Sequence, residues 1–151
     1  MLKKLMISVF ALVLGATAAE AANLMQLELR VTGGTVKLAS KLPTGVFTAE
    51  PILRKNETIY RYYVILDKTR SVELKFKVKG DAKLGPALFA FKREKGKKNR
   101  PISVKCKTFE LDGEPAGGIP GEIDKWKRIM VREFQDGDVV TLKMEFDKPE
   151  E

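Results

Sequence analysis

A run of basic side chains at positions 92–100 is the densest cluster of one chemical type in the sequence. It holds six basic residues, one acidic residue and a glycine near its middle. Its basic members are Lys92, Arg93, Lys95, Lys97, Lys98 and Arg100. Alternating runs on both sides predict two strands, so we expect a charged hairpin tip. Such a tip either binds an anionic partner with strong salt dependence or only keeps an exposed β-edge from aggregating.

The residues needed for the commonest nucleophilic and metal-dependent reactions are missing. The sequence has no histidine and a single cysteine, Cys106. This composition excludes Ser/His/Asp catalysis, Cys/His catalysis and cysteine-rich metal sites. Gly113 and Gly118 have the separation seen in a P-loop, but Ile119 and Pro120 follow where that loop needs Lys and Ser or Thr.

Carboxylate catalysis needs no histidine, and acidic residues lie close together at three places. These groups are Glu110, Asp112 and Glu114; Glu122 and Asp124; and Asp136 and Asp138. A glycosidase holds two carboxyl groups about 5 to 9 Å apart across a cleft, which proximity within a turn does not provide. Asp-Gly at positions 136–137 is typical of a hairpin rather than of a calcium loop. We predict a noncatalytic protein without metal or other cofactor, with a carboxylate-dependent hydrolase of envelope glycans as the alternative.

Aromatic residues form a second group with binding chemistry. Tyr60, Tyr62, Tyr63 and Trp126 would stack on sugars if exposed, although core packing is the favoured role for most of them. Cys106 alternates with apolar neighbours along its run, and free cysteine is among the most buried residue types. We therefore expect a buried thiol rather than a nucleophile.

Short alternating runs with turn signals between them predict an all-β domain. The clearest covers positions 71–79, where apolar side chains point one way and charged ones the other. Its outward Lys75 and Lys77, with Lys105 and Lys107 from a later run, would extend the hairpin tip into a basic sheet face. Positions 40–57 are expected to be irregular, and positions 122–126 to form one helical turn.

About eight strands without useful helical periodicity predict a two-sheet antiparallel β-sandwich. An immunoglobulin-like topology is the first expectation. A jelly roll or β-barrel is the alternative, because strand count alone does not separate these architectures.

The N-terminus has the three parts of a secretory signal peptide. Two lysines precede an apolar stretch at positions 5–14, and positions 19–21 read Ala-Glu-Ala. Cleavage is expected between Ala21 and Ala22. The stretch is too short to span a bilayer, which needs about 20 apolar residues. We predict residues 1–21 as a signal peptide and residues 22–151 as a single periplasmic or secreted domain, with 26 basic and 19 acidic residues and a net charge of +7.

The leader and the strand pattern together resemble the small secreted immunoglobulin-like proteins encoded beside type IV pilus machinery in some Gram-negative bacteria. The resemblance implies an accessory role, because the leader lacks the prepilin pattern in which a long hydrophobic helix follows the cut. The partners we expect are a protein or an anionic surface polymer, such as lipopolysaccharide or an acidic glycan. Nucleic acid is not favoured, and a homo-oligomer formed by strand exchange is a third possibility.

Overall fold

The computed structural model describes residues 21–115 and 119–149. The predicted signal peptide therefore lies outside the described residues except for its last residue, Ala21. The first strand begins at Ala22, directly after the predicted cleavage site.

Thirteen strands, numbered along the chain, form two antiparallel sheets in the described residues. Sheet A contains β1 (Ala22–Thr32), β3 (Val46–Leu53), β4 (Glu57–Ile65), β6 (Ala82–Arg93), β7 (Arg100–Pro101), β11 (Lys127–Arg128) and β12 (Arg132–Phe134). Sheet B contains β2 (Thr35–Leu38), β5 (Ser71–Lys79), β8 (Val104–Leu111), β9 (Glu114–Pro115), β10 (Gly121–Ile123) and β13 (Val139–Phe146).

The predicted two-sheet β-sandwich is confirmed, and its sheets do not close into a barrel. Sheet A runs in the order β11, β6, β1, β4, β3, with β7 and β12 also paired to β6. Sheet B runs in the order β10, β8, β13, β5, β2, with β9 paired to β8. The strand order refines the topology, because β1 lies in the middle of its sheet, whereas the first strand of an immunoglobulin constant domain lies at the edge.

The core lies between the inner faces of the two sheets and follows the period of two predicted for the strands. In β5, every second residue from Val72 to Val78 is buried, and the residues between them are exposed. From sheet A, Met25, Leu27 and Leu29 of β1 pack into the same cluster. Burial of one such side chain contributes about 1.5–3 kcal/mol, so this interior can hold the domain together without a disulfide.

Two local expectations are wrong. Positions 46–53, expected to be irregular, form the edge strand β3. Its register shifts between Ala49 and Ile52, around Pro51, and an edge strand tolerates a proline because its outer N–H needs no partner. Positions 121–123 form β10 instead of beginning a helical turn, since Gly121 pairs with Cys106 of β8. No helix in the described part of the chain has the length and apolar character that crossing a membrane requires.

Candidate ligand-binding surfaces

The six basic residues at positions 92–100 form the hairpin tip that their flanking runs predict, here called the basic tip. β6 ends at Arg93, and the Lys97 amide donates to the Glu94 carbonyl at 3.1 Å in the turn. Arg100 of β7 then pairs with Lys92. Lys92 and Arg93 are half-buried, and the other four basic residues are exposed. Only the placement of the tip is observed, and its role in binding stays a prediction.

One basic side chain of the tip has an acidic neighbour within the turn. Lys97 Nζ lies 3.9 Å from Glu94 Oε2, and the lysine side chain of this pair is well exposed. Exposed pairs of this kind contribute at most about 1 kcal/mol and are screened by salt. The four exposed residues of the tip therefore carry an accessible positive charge on long side chains.

A second basic cluster lies on the outward face of sheet B, and we call it the lysine surface. Its members are Lys37 of β2 and Lys75, Lys77 and Lys79 of β5. All four are exposed, and Lys37 stands directly opposite Lys77 in the β2–β5 register. Among the described residues, none of the four forms an ion pair.

The arrangement of the lysine surface is unfavourable for the sheet itself. Like charges directly opposite each other on neighbouring strands are destabilising. Protection of an open edge does not explain Lys77, because β5 has β13 on one side and β2 on the other at that position. Val139 of β13, also opposite Lys77, is 54% exposed, so the lysines border an accessible apolar side chain.

The other two lysines expected on this face have acidic neighbours. Lys105 stands opposite Glu122 in the β8–β10 register. Lys107 Nζ lies 3.9 Å from Glu145 and 3.6 Å from Asp147. These two lysines therefore add little net positive charge to sheet B. The basic tip belongs to sheet A, so the predicted continuous basic face is divided between two sheets.

The four predicted aromatic residues separate into core and surface. Tyr62 is 5% exposed and packs edge-on against Phe76, and burial, followed by the charge of Tyr60, raises its pKa to about 12. Tyr60 is half-buried against the main core. Tyr63 and Trp126 instead belong to the outer face of sheet A.

On that outer face, aromatic rings from several strands form what we call the aromatic row: Phe47, Tyr63, Phe89 and Trp126. The rings of Phe47 and Tyr63 stack at 5.0 Å between centroids, as do those of Phe89 and Trp126. Gln26 of β1 lies between the two pairs, opposite both Tyr63 and Phe89. The sequence gives no direct signal for this row, because alternation shows which residues share a face but not whether that face is covered.

Three of the seven acidic residues considered for catalysis accept hydrogen bonds that stabilise the fold. Asp136 accepts a hydrogen bond from the Gly80 amide at 2.7 Å, and Asp138 accepts one from the Gln135 amide at 2.8 Å. Glu122 accepts one from Ser103 Oγ at 2.5 Å. No group of three or more acidic, cysteine or histidine side chains that could hold a metal occurs within residues 21–115 and 119–149.

An open cavity of about 240 Å³ has two acidic residues, Asp81 and Glu133, in its lining. The Asp81 carboxylate accepts a hydrogen bond from the Asp136 amide at 3.1 Å, and Lys83 is the register partner of Glu133. Asp81 is therefore engaged in a hydrogen bond, and Glu133 lies opposite a basic residue.

Cys106 is fully buried, as its alternation predicts. Burial raises the pKa of its thiol to about 11, and the charge of Lys127 opposes this shift only in part. The thiol Sγ donates a hydrogen bond to the Thr108 carbonyl at 3.4 Å, which favours the protonated form. A protonated, inaccessible thiol is a poor nucleophile.

The chain matches no protein-family model, no curated protein and no solved structure, so no relative assigns a ligand to any of these surfaces.

Proposed function

We propose that this protein is an exported, noncatalytic binding module that holds an anionic surface polymer, such as lipopolysaccharide or an acidic glycan, through the lysine surface. The observation that carries the proposal is the placement of Lys37 directly opposite Lys77, with Lys75 and Lys79 on the same face and no ion pair among the described residues. Successive lysines of β5 lie about 7 Å apart along the strand, which provides repeated contacts for a polymer with repeated negative charges.

Binding of a polyanion would reverse the unfavourable electrostatics of the lysine surface. In the free protein the four ammonium groups repel one another, and each repulsion weakens as salt is added. A bound anion replaces repulsion with attraction, so affinity should fall steeply with ionic strength. The predicted signal peptide at residues 1–21 supports a partner outside the cytoplasm.

A salt series with charge variants tests this proposal. The purified protein is titrated with lipopolysaccharide, an acidic glycan and duplex DNA between low and high salt. The double variant Lys37→Gln, Lys77→Gln should bind the polymer at least tenfold more weakly at low salt and show a shallower salt dependence. The variant Lys105→Gln is the matched control on the same sheet, because Glu122 already faces that lysine.

A second double variant, Lys97→Glu with Lys98→Glu, distinguishes the contribution of the basic tip to binding from that of the lysine surface. Undiminished binding by this variant removes the tip from the binding site. Undiminished binding by the Lys37 and Lys77 variant refutes the proposal, whatever the tip does. Tighter binding to DNA than to either saccharide polymer would make nucleic acid the partner instead.

An accessory role in a cell-surface assembly, such as a pilus, extends the same proposal. The leader and the strand pattern support it through their resemblance to proteins encoded beside pilus machinery. Neighbouring genes that encode assembly components, together with retention of the protein on isolated pili, would be the expected result.

The second candidate function is a carboxylate-dependent glycan hydrolase, favoured only by the presence of Asp81 and Glu133 in one cavity. Release of reducing ends from envelope glycans, abolished by Asp81→Asn and by Glu133→Gln, would establish it. We expect no release of reducing ends, because Asp81 accepts a hydrogen bond from the Asp136 amide and Glu133 lies opposite Lys83.

A further inference from the structure

Trp126, the single tryptophan of the sequence, lies at one end of the aromatic row with its ring accessible. Its side chain is 40% exposed. The indole lies nearly parallel to the Phe89 ring, with 5.0 Å between centroids and 20° between planes. One face of the indole rests on Phe89, and the exposed part of the ring is accessible to a ligand.

A second row, which we call the polar row, runs beside the aromatic row across the same strands. Arg128 of β11 pairs with Ala87 of β6, Ala87 pairs with Glu28 of β1, and Glu28 pairs with Arg61 of β4. Arg128 is exposed and forms no ion pair within the described part of the chain. It follows Trp126 by two residues, a separation of about 7 Å in an extended segment.

We propose that this outer face of sheet A binds an acidic saccharide, with one pyranose ring stacked on Trp126 and its anionic group held by Arg128. A sugar presents an apolar C–H face that suits the open face of an indole, and a guanidinium suits a carboxylate or sulfate because it can donate two parallel hydrogen bonds. Gln26 lies within the aromatic row and donates from Nε2 to Glu28 Oε2 at 3.4 Å. Its amide oxygen then remains to accept a hydrogen bond from a sugar hydroxyl.

Charge distribution favours a saccharide over single-stranded nucleic acid, which also uses aromatic stacking beside basic residues. Glu28 stands in the polar row between Arg61 and Arg128 and would repel a continuous phosphate backbone. A saccharide with an occasional carboxylate can place that charge at Arg128 and a hydroxyl at Glu28. The proposal is independent of the lysine surface, since the outward faces of the two sheets point away from each other.

Tetragalacturonate and its methyl ester are the probes for this site. Because Trp126 is the single tryptophan, its fluorescence reports directly on the site, and we expect a saturable blue shift. By calorimetry in the Lys37→Gln, Lys77→Gln background, which weakens the lysine surface, Trp126→Ala should bind tetragalacturonate at least tenfold more weakly, which corresponds to about 1.4 kcal/mol. Trp126→Tyr, which keeps a ring, should lose less. In the same background, Arg128→Gln should bind the acid and the ester equally.

The controls separate this proposal from the preceding one. The Lys37→Gln, Lys77→Gln variant should retain the full fluorescence response. Trp126→Ala should retain the far-UV circular dichroism spectrum of the folded protein. In the Lys37→Gln, Lys77→Gln background, equal affinity for tetragalacturonate with and without Trp126→Ala would overturn the proposal, as would unchanged Trp126 fluorescence at millimolar tetragalacturonate. A blue shift of Trp126 fluorescence caused by a single-stranded oligonucleotide but not by tetragalacturonate would assign the outer face of sheet A to nucleic acid binding.

Discussion

The substitution Lys77→Glu should stabilise the fold while it weakens polymer binding. Lys77 faces Lys37 across the β2–β5 pair, and both side chains are exposed. The substitution changes a facing like-charge pair into a facing opposite-charge pair and removes one positive charge from the lysine surface. If the lysines serve binding, the two properties must move in opposite directions.

The expected magnitude follows from Coulomb's law. Two unit charges about 7 Å apart in water interact by about 0.6 kcal/mol, so reversal of one sign changes the free energy of unfolding by about 1.2 kcal/mol. A Debye length of about 10 Å at 0.1 M salt reduces this gain to about half. For a domain of this size, about 1 kcal/mol at the transition corresponds to a rise in Tm of about 4 °C.

Urea unfolding at low and at high salt measures this effect, with Lys105→Glu as the matched control. That control places a new glutamate opposite Glu122 on the same sheet, so it should lower the free energy of unfolding. Both changes should vanish near 1 M salt, where the Debye length is about 3 Å. Loss of stability in Lys77→Glu at low salt would refute the electrostatic reasoning, and unchanged polymer affinity would refute the role of the lysine surface in binding.

Three further predictions concern the interior and the turns. Because burial raises the pKa of Cys106 from 9.0 to about 11, the unfolded thiol ionises first, and stability is lost as pH rises between these values. The loss is up to about 3 kcal/mol, and Cys106→Ala should show a smaller decrease between pH 9 and 11 in urea unfolding. Asp67→Ala should destabilise the fold by about 1–3 kcal/mol in the same assay, because the carboxylate accepts hydrogen bonds from the amide and the side chain of the buried Asn23 at 3.0 and 3.3 Å. Gly34→Ala should lower Tm more than Gly137→Ala, because its new Cβ would lie 2.4 Å from a backbone oxygen, whereas Gly137, at φ +90°, has open space and only backbone strain. Equal losses for the two glycines would contradict this account of the turns.

Several elements of the fold were predictable from local pattern. The alternation of β5 identifies its buried and wet faces because a strand places successive side chains on opposite sides of the sheet. Cys106 is buried for the same reason. Local pattern does not predict the edge strand β3, because Pro51 and the register shift interrupt its alternation. Backbone pairing with β4 holds this segment extended.

The candidate surfaces were predictable only in part. The basic tip is a local feature, since its residues are contiguous and form one turn. The lysine surface depends on the register of β2 with β5, which brings Lys37 opposite Lys77 although they are far apart in the sequence. The sequence favours a core position for Trp126, but its side chain is 40% exposed and contacts Phe89 on the outer face of sheet A.

The sequence by itself determined the all-β class, the buried thiol, the excluded chemistries and the basic tip, because each follows from composition or from a period of two along one strand. The tertiary structure decided which outward-facing side chains are exposed and which charged side chains lie opposite each other. Those outcomes depend on strand order and register, which are set by contacts between residues distant in the chain. The lysine surface and the aromatic row are products of that long-range pairing.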